Sequence, residues 1–212
     1  IFYMEITKNI LITGATGYIG NHLIRRLACL DEYHVTALVR DSSDLQDISD
    51  IKENITYHQY KSNYDSINLL FQKKSFYCVF HLAAFSSNTY KCEDIHKIMD
   101  SNIILGTYIL EAMKQNNCQY LINTSTYWQH FKKNKPNSLY AATKNAFEDI
   151  IDFFSLDGTI KAISLKLHDV YGYDDHRPKL LNNLIKNQNS NKVYDLTRGE
   201  QKHYMVFIDD VI

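Results

Sequence analysis

The sequence predicts an α/β protein: a doubly wound parallel sheet followed by a small C-terminal lobe. Three features predict it. Short apolar runs recur along the chain, longer stretches with helical spacing separate them, and a glycine-rich turn follows the first run. That run, Asn9–Thr13, leads into Gly14-Ala15-Thr16-Gly17-Tyr18-Ile19-Gly20, and a helix is expected over Tyr18–Leu30. Further strands are expected at His34–Val39, Ile55–Tyr60, Tyr77–Leu82, Tyr120–Thr124 and Lys161–Leu167. Between them, amphipathic helices are expected at Asp94–Lys114 and Leu139–Phe154. In the first, Ile95, Ile98, Met99, Ile103, Leu105, Ile109, Leu110 and Met113 keep a three-to-four spacing and form a buried face. Only two prolines and seven glycines occur, so no linker, repeat or low-complexity segment stands out. From Val170 onward the run Tyr171-Gly172-Tyr173-Asp174-Asp175-His176-Arg177-Pro178 reads as a polar loop opening a second lobe. The boundary is placed after residue 168, leaving residues 169–212 as a partial substrate-binding lobe.

Composition bounds the partners. With 212 residues and 45% apolar content the chain can bury one sizeable core, not two complete ones. A formal net charge of -1, with both signs interspersed, offers no footprint for nucleic acid or an anionic membrane, so a small molecule is the expected partner. Cys29, Cys78, Cys92 and Cys118 are scattered without a Cys-x-x-Cys pair, so neither a metal site nor a disulfide framework is expected. A reducing cytoplasm fits that usage. No stretch approaches the roughly 18 apolar residues of a membrane span, and the N-terminus lacks a basic region followed by an apolar run. The chain is expected to be soluble and unexported.

The glycine turn sits between a strand and a helix, where a Rossmann-type dinucleotide fold needs it. Gly14 permits the tight turn, Gly17 lets the backbone approach a pyrophosphate, and Gly20 allows the helix to pack closely on the strand. The helix start, with Thr16, Tyr18 and Ile19, supplies free N–H groups and partial positive charge for the phosphates. The spacing is G-x-x-G-x-x-G, and a tight connection without a ligand is the competing reading. The second strand ends Ala37-Leu38-Val39-Arg40. An arginine there accommodates the 2'-phosphate of NADP, whereas an acidic residue would hold the ribose hydroxyl of NAD. NADP(H) is therefore favoured over NAD(H), with Asp41 as the competing signal.

Tyr140-Ala141-Ala142-Thr143-Lys144 opens a predicted helix, and the i, i+4 spacing puts phenol and ammonium on one face. A tyrosine that works near pH 7 needs its pKa brought down by about 3 units, worth roughly 4 kcal/mol. A lysine about 4 Å away in a partly screened site supplies that much. Tyr57 and Lys61 repeat the spacing, but on a strand, where they lie roughly 13 Å apart.

With these motifs the chain resembles the extended short-chain dehydrogenase/reductases, which include nucleotide-sugar epimerases, dehydratases and reductases. The resemblance covers nearly the whole chain. It also rests on His81-Leu82-Ala83-Ala84, on Asn102 with Gly106-Thr107, on Ala112-Met113, and on Tyr120-Leu121-Ile122-Asn123-Thr124-Ser125-Thr126. It implies that Leu82, Ala83 and Ala84 pass beside the cofactor with Ser86 toward the substrate, and that Thr126 hydrogen-bonds the reacting oxygen beside Tyr140. Thr124 and Ser125 are the runners-up for that role. The segment Leu165-Lys166-Leu167-His168-Asp169-Val170-Tyr171-Gly172 resembles the one that reaches the sugar nucleotide, with Asp169 where asparagine is usual. A negative charge there would repel a diphosphate. The segment from Gly199 to Val211 matches too, but His203-Tyr204 replaces an arginine and an aspartate. Relatives continue further, so a chain truncated within its substrate lobe is expected.

Relatives that eliminate water carry an aspartate and a glutamate directly after the threonine, as acid and base. Tyr127 and Trp128 stand here instead, which argues against a 4,6-dehydratase. A ketoreductase or a C4 epimerase with retained NAD remains, and Arg40 tips the reading to the former. The expectation is NADPH-dependent reduction of a nucleotide-linked 4-keto-6-deoxyhexose, similar to the CDP-abequose and paratose synthase type of ketoreductase. A non-catalytic dinucleotide sensor and a reductase of flavonoid-like ketones compete with it. Relatives pair two long helices as a homodimer, which the apolar faces of Asp94–Lys114 and Leu139–Phe154 permit.

Overall fold

A computed structural model describes residues 7–86, 89–188, 196, 198–200 and 202–212. The order is β1 (Lys8–Thr13), α1 (Tyr18–Ala28), β2 (Tyr33–Val39), β3 (Ile55–Gln59), α2 (Tyr64–Lys73), β4 (Cys78–His81), α3 (Ile95–Met99), α4 (Leu105–Gln115), β5 (Tyr120–Thr126), α5 (Leu139–Ser155) and β6 (Lys161–Leu167). After these come β7 (Asp169–Tyr171), α6 (Leu180–Asn187), β8 (Met205–Phe207) and α7 (Ile208–Val211).

Six strands form one parallel sheet in the order β3-β2-β1-β4-β5-β6. The chain direction across the sheet reverses between β1 and β4, so a crevice opens beyond their carboxyl ends. Alternation along β1 explains the two layers of core. Leu11 points with Leu38, Val79 and Leu121 toward Ile67, Leu70, Leu110, Met113, Phe147 and Ile151 of α2, α4 and α5. Ile10 and Ile12 point the other way, with Val35 and Ala37, toward Leu23 and Ile24 of α1 and toward Ile48. Each fully buried side chain of this size contributes about 1.5–3 kcal/mol.

The expected strands and the helices at Tyr18 and Leu139 appear with shifts of a residue or two. β5 runs on to Thr126 because it pairs with β6 through Thr126 and Leu167. The helix expected over Asp94–Lys114 is not uniform: residues Asp100–Ile104 between α3 and α4 widen into a π turn. Two helical segments lie outside the stretches expected from the sequence. These are α2, capped by Asn63 Oδ1 accepting from the Ser66 N–H at 2.9 Å, and a 3₁₀ stretch at Gln46–Asn54. The expected loop is present over residues 172–178, but its first residue, Tyr171, ends a short strand, Asp169–Tyr171, paired in parallel with Met205–Phe207. Its partner is more than thirty residues away in sequence, out of reach of local periodicity.

Among the described residues no helix is long and apolar enough to cross a membrane, and no group of three or more His, Cys, Asp or Glu could hold a metal. All four cysteines are free.

Candidate active site

The glycine turn lies at the sheet's reversal point. Gly14 has φ +71°, and a Cβ on it would stand 2.7 Å from Ala83 N and 2.9 Å from the Leu82 carbonyl carbon. Only glycine fits where the turn meets the chain leaving β4. A Cβ on Gly20 would come within 2.0 Å of the Gly14 oxygen, so α1 rests directly on the turn. Gly17 starts α1 without a side-chain cap, which leaves the helix's first N–H groups available to an anion. Thr13 Oγ1 ties the two ends together, accepting from Ala83 N–H at 3.1 Å and sharing a hydrogen with His81 Nδ1 at 2.9 Å.

A cavity of about 220 Å³ sits over this turn, lined by Gly14, Thr16, Gly17, Arg40, Ser43, Tyr60, Leu82, Ala83 and Ala84, among others. Arg40 and Ser43 hold each other through Arg40 N–H to Ser43 Oγ (2.9 Å) and Ser43 N–H to Arg40 O (3.0 Å). The half-exposed Arg40 guanidinium makes no ion pair among the described residues. Glycine backbone, uncapped helix start and cation fit the pyrophosphate and 2'-phosphate of a dinucleotide. Tyr18 and Ile19 belong to the same helix start. The Tyr18 side chain turns away, though: its hydroxyl donates to Tyr173 O at 3.0 Å, and the Arg177 guanidinium lies 4.1 Å over its ring.

On the other side of the crevice Ser138 caps α5 by accepting the Ala141 N–H at 3.2 Å. This fixes Tyr140 and Lys144 in the first two turns. Lys144 is 1% exposed, and its Nζ donates to the Thr124 carbonyl at 2.8 Å. Burial brings its pKa down to about 8, against the opposing pull of Glu148 one turn along. The expected lowering of the Tyr140 pKa is corrected: burial raises it. The two groups share a helix face, but the ammonium is spent on a backbone carbonyl and the phenol sits in a site that penalises its charge. His81, fully buried against the Phe147 ring at 5.3 Å, is driven down to about 3 by burial and then by Lys144, so it stays neutral.

Three hydroxyls end β5, and their hydrogen bonds separate them. Thr124 Oγ1 donates to His81 O at 3.3 Å, and Ser125 Oγ donates to Gln129 Oε1. Thr126 Oγ1 instead accepts, from the Trp128 N–H at 3.3 Å. Among the described residues, Thr126 is the one of the three whose proton remains uncommitted.

Asn102, in the π turn, joins the two sides. Its Oδ1 accepts Phe85 N–H at 2.7 Å, and its Nδ2 donates to Thr143 Oγ1 at 3.0 Å. Ser86, one residue on, is exposed. Asp169 lies 3.5 Å from both Lys179 Nζ and His203 Nδ1, so the charge expected to repel a diphosphate has a cationic partner in Lys179 and an imidazole beside it. Sequence reasoning passes over Gln129 and Glu148. Gln129 carried a readable signal, since Thr126-Tyr127-Trp128-Gln129 has the spacing of a capping box. A larger cavity, about 1330 Å³, opens between α1 and residues 173–177, away from Tyr140. Its cations are largely paired, Arg25 with Asp50 and Arg177 with Asp175.

Comparison with known proteins is in keeping with this geometry. The model of the NAD dependent epimerase/dehydratase family matches residues 10–212. The chain is 32% identical to CDP-abequose synthase of Yersinia pseudotuberculosis, over 96% of this chain and 70% of that one. It is 30% identical to Protein CapI of Staphylococcus aureus, over 96% and 66% respectively. Among solved structures, a mutant UDP-glucuronic acid 4-epimerase from Bacillus cereus, bound to a fluorinated UDP-sugar and NAD, aligns with TM-score 0.84 at 23% identity, covering 96% of this chain and 70% of that one. At that identity the likeness speaks for the fold.

Proposed function

The chain belongs to the NAD dependent epimerase/dehydratase family, enzymes of the extended short-chain dehydrogenase type that modify nucleotide sugars, and we propose that it reduces the C4 carbonyl of a nucleotide-linked 4-keto-6-deoxyhexose with NADPH. The observation that carries this reading is the protonation state of the buried pair. Burial favours the neutral phenol of Tyr140, and Lys144, although burial brings its pKa down to about 8, remains mostly an ammonium at neutral pH. A phenol is the acid that a reduction needs, whereas an epimerase must begin by taking a proton from a sugar hydroxyl.

Gly14, Gly17 and the start of α1 would hold the pyrophosphate, Arg40 the 2'-phosphate and Lys144 the ribose. NADPH, when bound, supplies the hydride. Tyr140 gives its proton to the C4 oxygen as that oxygen gains charge, and solvent reprotonates it. Thr126, whose hydroxyl proton is uncommitted, donates to the same oxygen and fixes its direction. Tyr127 and Trp128, at the head of the short helical turn after Thr126, supply neither acid nor base for elimination. The similarity to CDP-abequose synthases supports a 6-deoxy keto sugar, and Arg40 supports NADPH.

The test is a CDP-linked 4-keto-6-deoxyglucose with NADPH, followed by absorbance. One NADPH oxidised per sugar reduced is expected. Interconversion of C4 epimers of a UDP-sugar without net oxidation would overturn the reading in favour of an epimerase.

A further inference from the structure

Between the catalytic helix and the end of β5 lies a buried polar relay that the proposed reaction does not touch directly. Gln129 is 1% exposed. Its Oε1 accepts both the Ser125 hydroxyl and the Thr126 backbone N–H, the latter at 3.1 Å, and its Nε2 donates to Glu148 Oε2 at 2.9 Å. Glu148 sits one helical turn beyond Lys144, and its carboxylate pairs with Lys166 Nζ at 3.2 Å.

We propose that Gln129 and Glu148 are positioning residues that leave Thr126 as the hydroxyl free to donate to the substrate oxygen. A primary amide can point either way, but a carboxylate only accepts. Glu148 therefore turns Nε2 toward itself and Oε1 toward Ser125 and Thr126. With the amide reversed, its NH₂ would face the Thr126 N–H, donor against donor, and the Ser125 proton would be released to compete at the active site. The relay thus commits Ser125, anchors the Thr126 backbone and lets the Thr126 side chain point by its own cap. It deepens the proposed roles of Tyr140 and Thr126 and rests on them for its kinetic arm only.

The experiment compares Glu148→Ala and Gln129→Glu with the swapped pair Gln129→Glu/Glu148→Gln, in which donor and acceptor trade places. Two readouts are taken: hydrogen exchange of the Thr126 amide by NMR, and kcat and KM for keto-sugar reduction. Either single variant should speed Thr126 exchange and lower kcat by about 10- to 100-fold, leaving KM for NADPH unchanged. The swapped pair should restore slow exchange and most of kcat. Wild-type exchange at Thr126 in Glu148→Ala, or a swapped pair no better than Gln129→Glu, would overturn the proposal. If Glu148→Ala does not fold, Gln129→Glu against the swapped pair decides alone. If the unmodified chain reduces no keto sugar, the functional reading fails, and the exchange measurement still judges the relay.

Discussion

The six-stranded sheet and the segment that follows it are held together differently. In the sheet, Leu11, Ile12, Ile24, Ile67, Leu110, Met113 and Leu121 are essentially inaccessible, and buried polar groups such as Thr13 and Lys144 are tied into hydrogen bonds. From Asp169 onward the strands are three residues long, with Val170 and Ile208 as the buried apolar residues among those described. Polar contacts do most of the holding there. Arg177 reaches Asp175 at 2.7 Å and Val170 O at 2.9 Å, Asn182 Nδ2 reaches Arg177 O at 3.0 Å, and Asp169 pairs with Lys179 and His203. A packed apolar frame has one low-energy arrangement, whereas a partly exposed ion pair such as Asp169–Lys179 is individually weak and replaceable. The proposed proton donor, Tyr140, and the glycine turn proposed for the cofactor thus sit on the apolar frame, and the segment proposed to face the sugar sits on the part held more by polar contacts. Changes in the first should alter rate or cofactor choice; changes in the second should alter substrate affinity.

The largest effect expected from this division is at Tyr140. Tyr140→Phe should lower kcat by about 10²–10⁴-fold, the usual worth of a positioned acid, with NADPH affinity nearly intact by fluorescence titration. Turnover close to wild type would remove the phenol from the chemistry. Next comes Arg40→Ala, which loses a charge-assisted contact worth about 1.5–3 kcal/mol. KM for NADPH should rise roughly 10- to 100-fold and that for NADH hardly at all; an equal loss for both would break the assignment of Arg40 to the 2'-phosphate.

The frame itself can be probed by pH. His81 has a folded pKa of about 3 and an ordinary value near 6.5 when unfolded. Below pH 6.5 the unfolded chain takes up a proton that the folded chain refuses, so this contribution to stability is present above pH 6.5 and is lost as the pH falls toward 3. The slope is about 1.4 kcal/mol per pH unit. His81→Gln should flatten the fall in denaturation midpoint between pH 6.5 and 5, and an unchanged slope would mean that the imidazole takes its proton without unfolding. The smallest effect belongs to the lobe: Asp169→Asn removes the partly exposed ion pair with Lys179 and should change stability by less than about 1 kcal/mol. It should tighten nucleotide-sugar binding without changing kcat.

Legibility in the sequence follows the same division. The glycine turn, β1 to β6 and the Tyr140–Lys144 turn could be read because each depends on neighbours within a few residues: alternation, helical spacing, a strand-turn-helix context. The pairing of Val170 with Val206 depends on a return from far along the chain, and the polar loop composition around Asp174 hid it. At the site, the resemblance put Thr126 ahead of Thr124 and Ser125, but no local pattern in the sequence separated the three. The His81 carbonyl and Gln129, which separate them, come from β4 and from the turn after β5. The expected lowering of the Tyr140 pKa failed for a related reason. Spacing shows that two groups share a face, but not that burial outweighs their attraction or that Thr124 O claims the ammonium.

The central claim, that hydride and proton arrive together at a sugar C4 carbonyl with Tyr140 as acid, has a direct measurement. Reduction of a CDP-linked 4-keto-6-deoxyhexose with NADPH deuterated at the transferable position should place one deuterium on sugar C4, seen by NMR or mass spectrometry, and Tyr140→Phe should slow the transfer by about 10²–10⁴-fold. Deuterium that remains on the cofactor while the sugar is turned over would contradict the account.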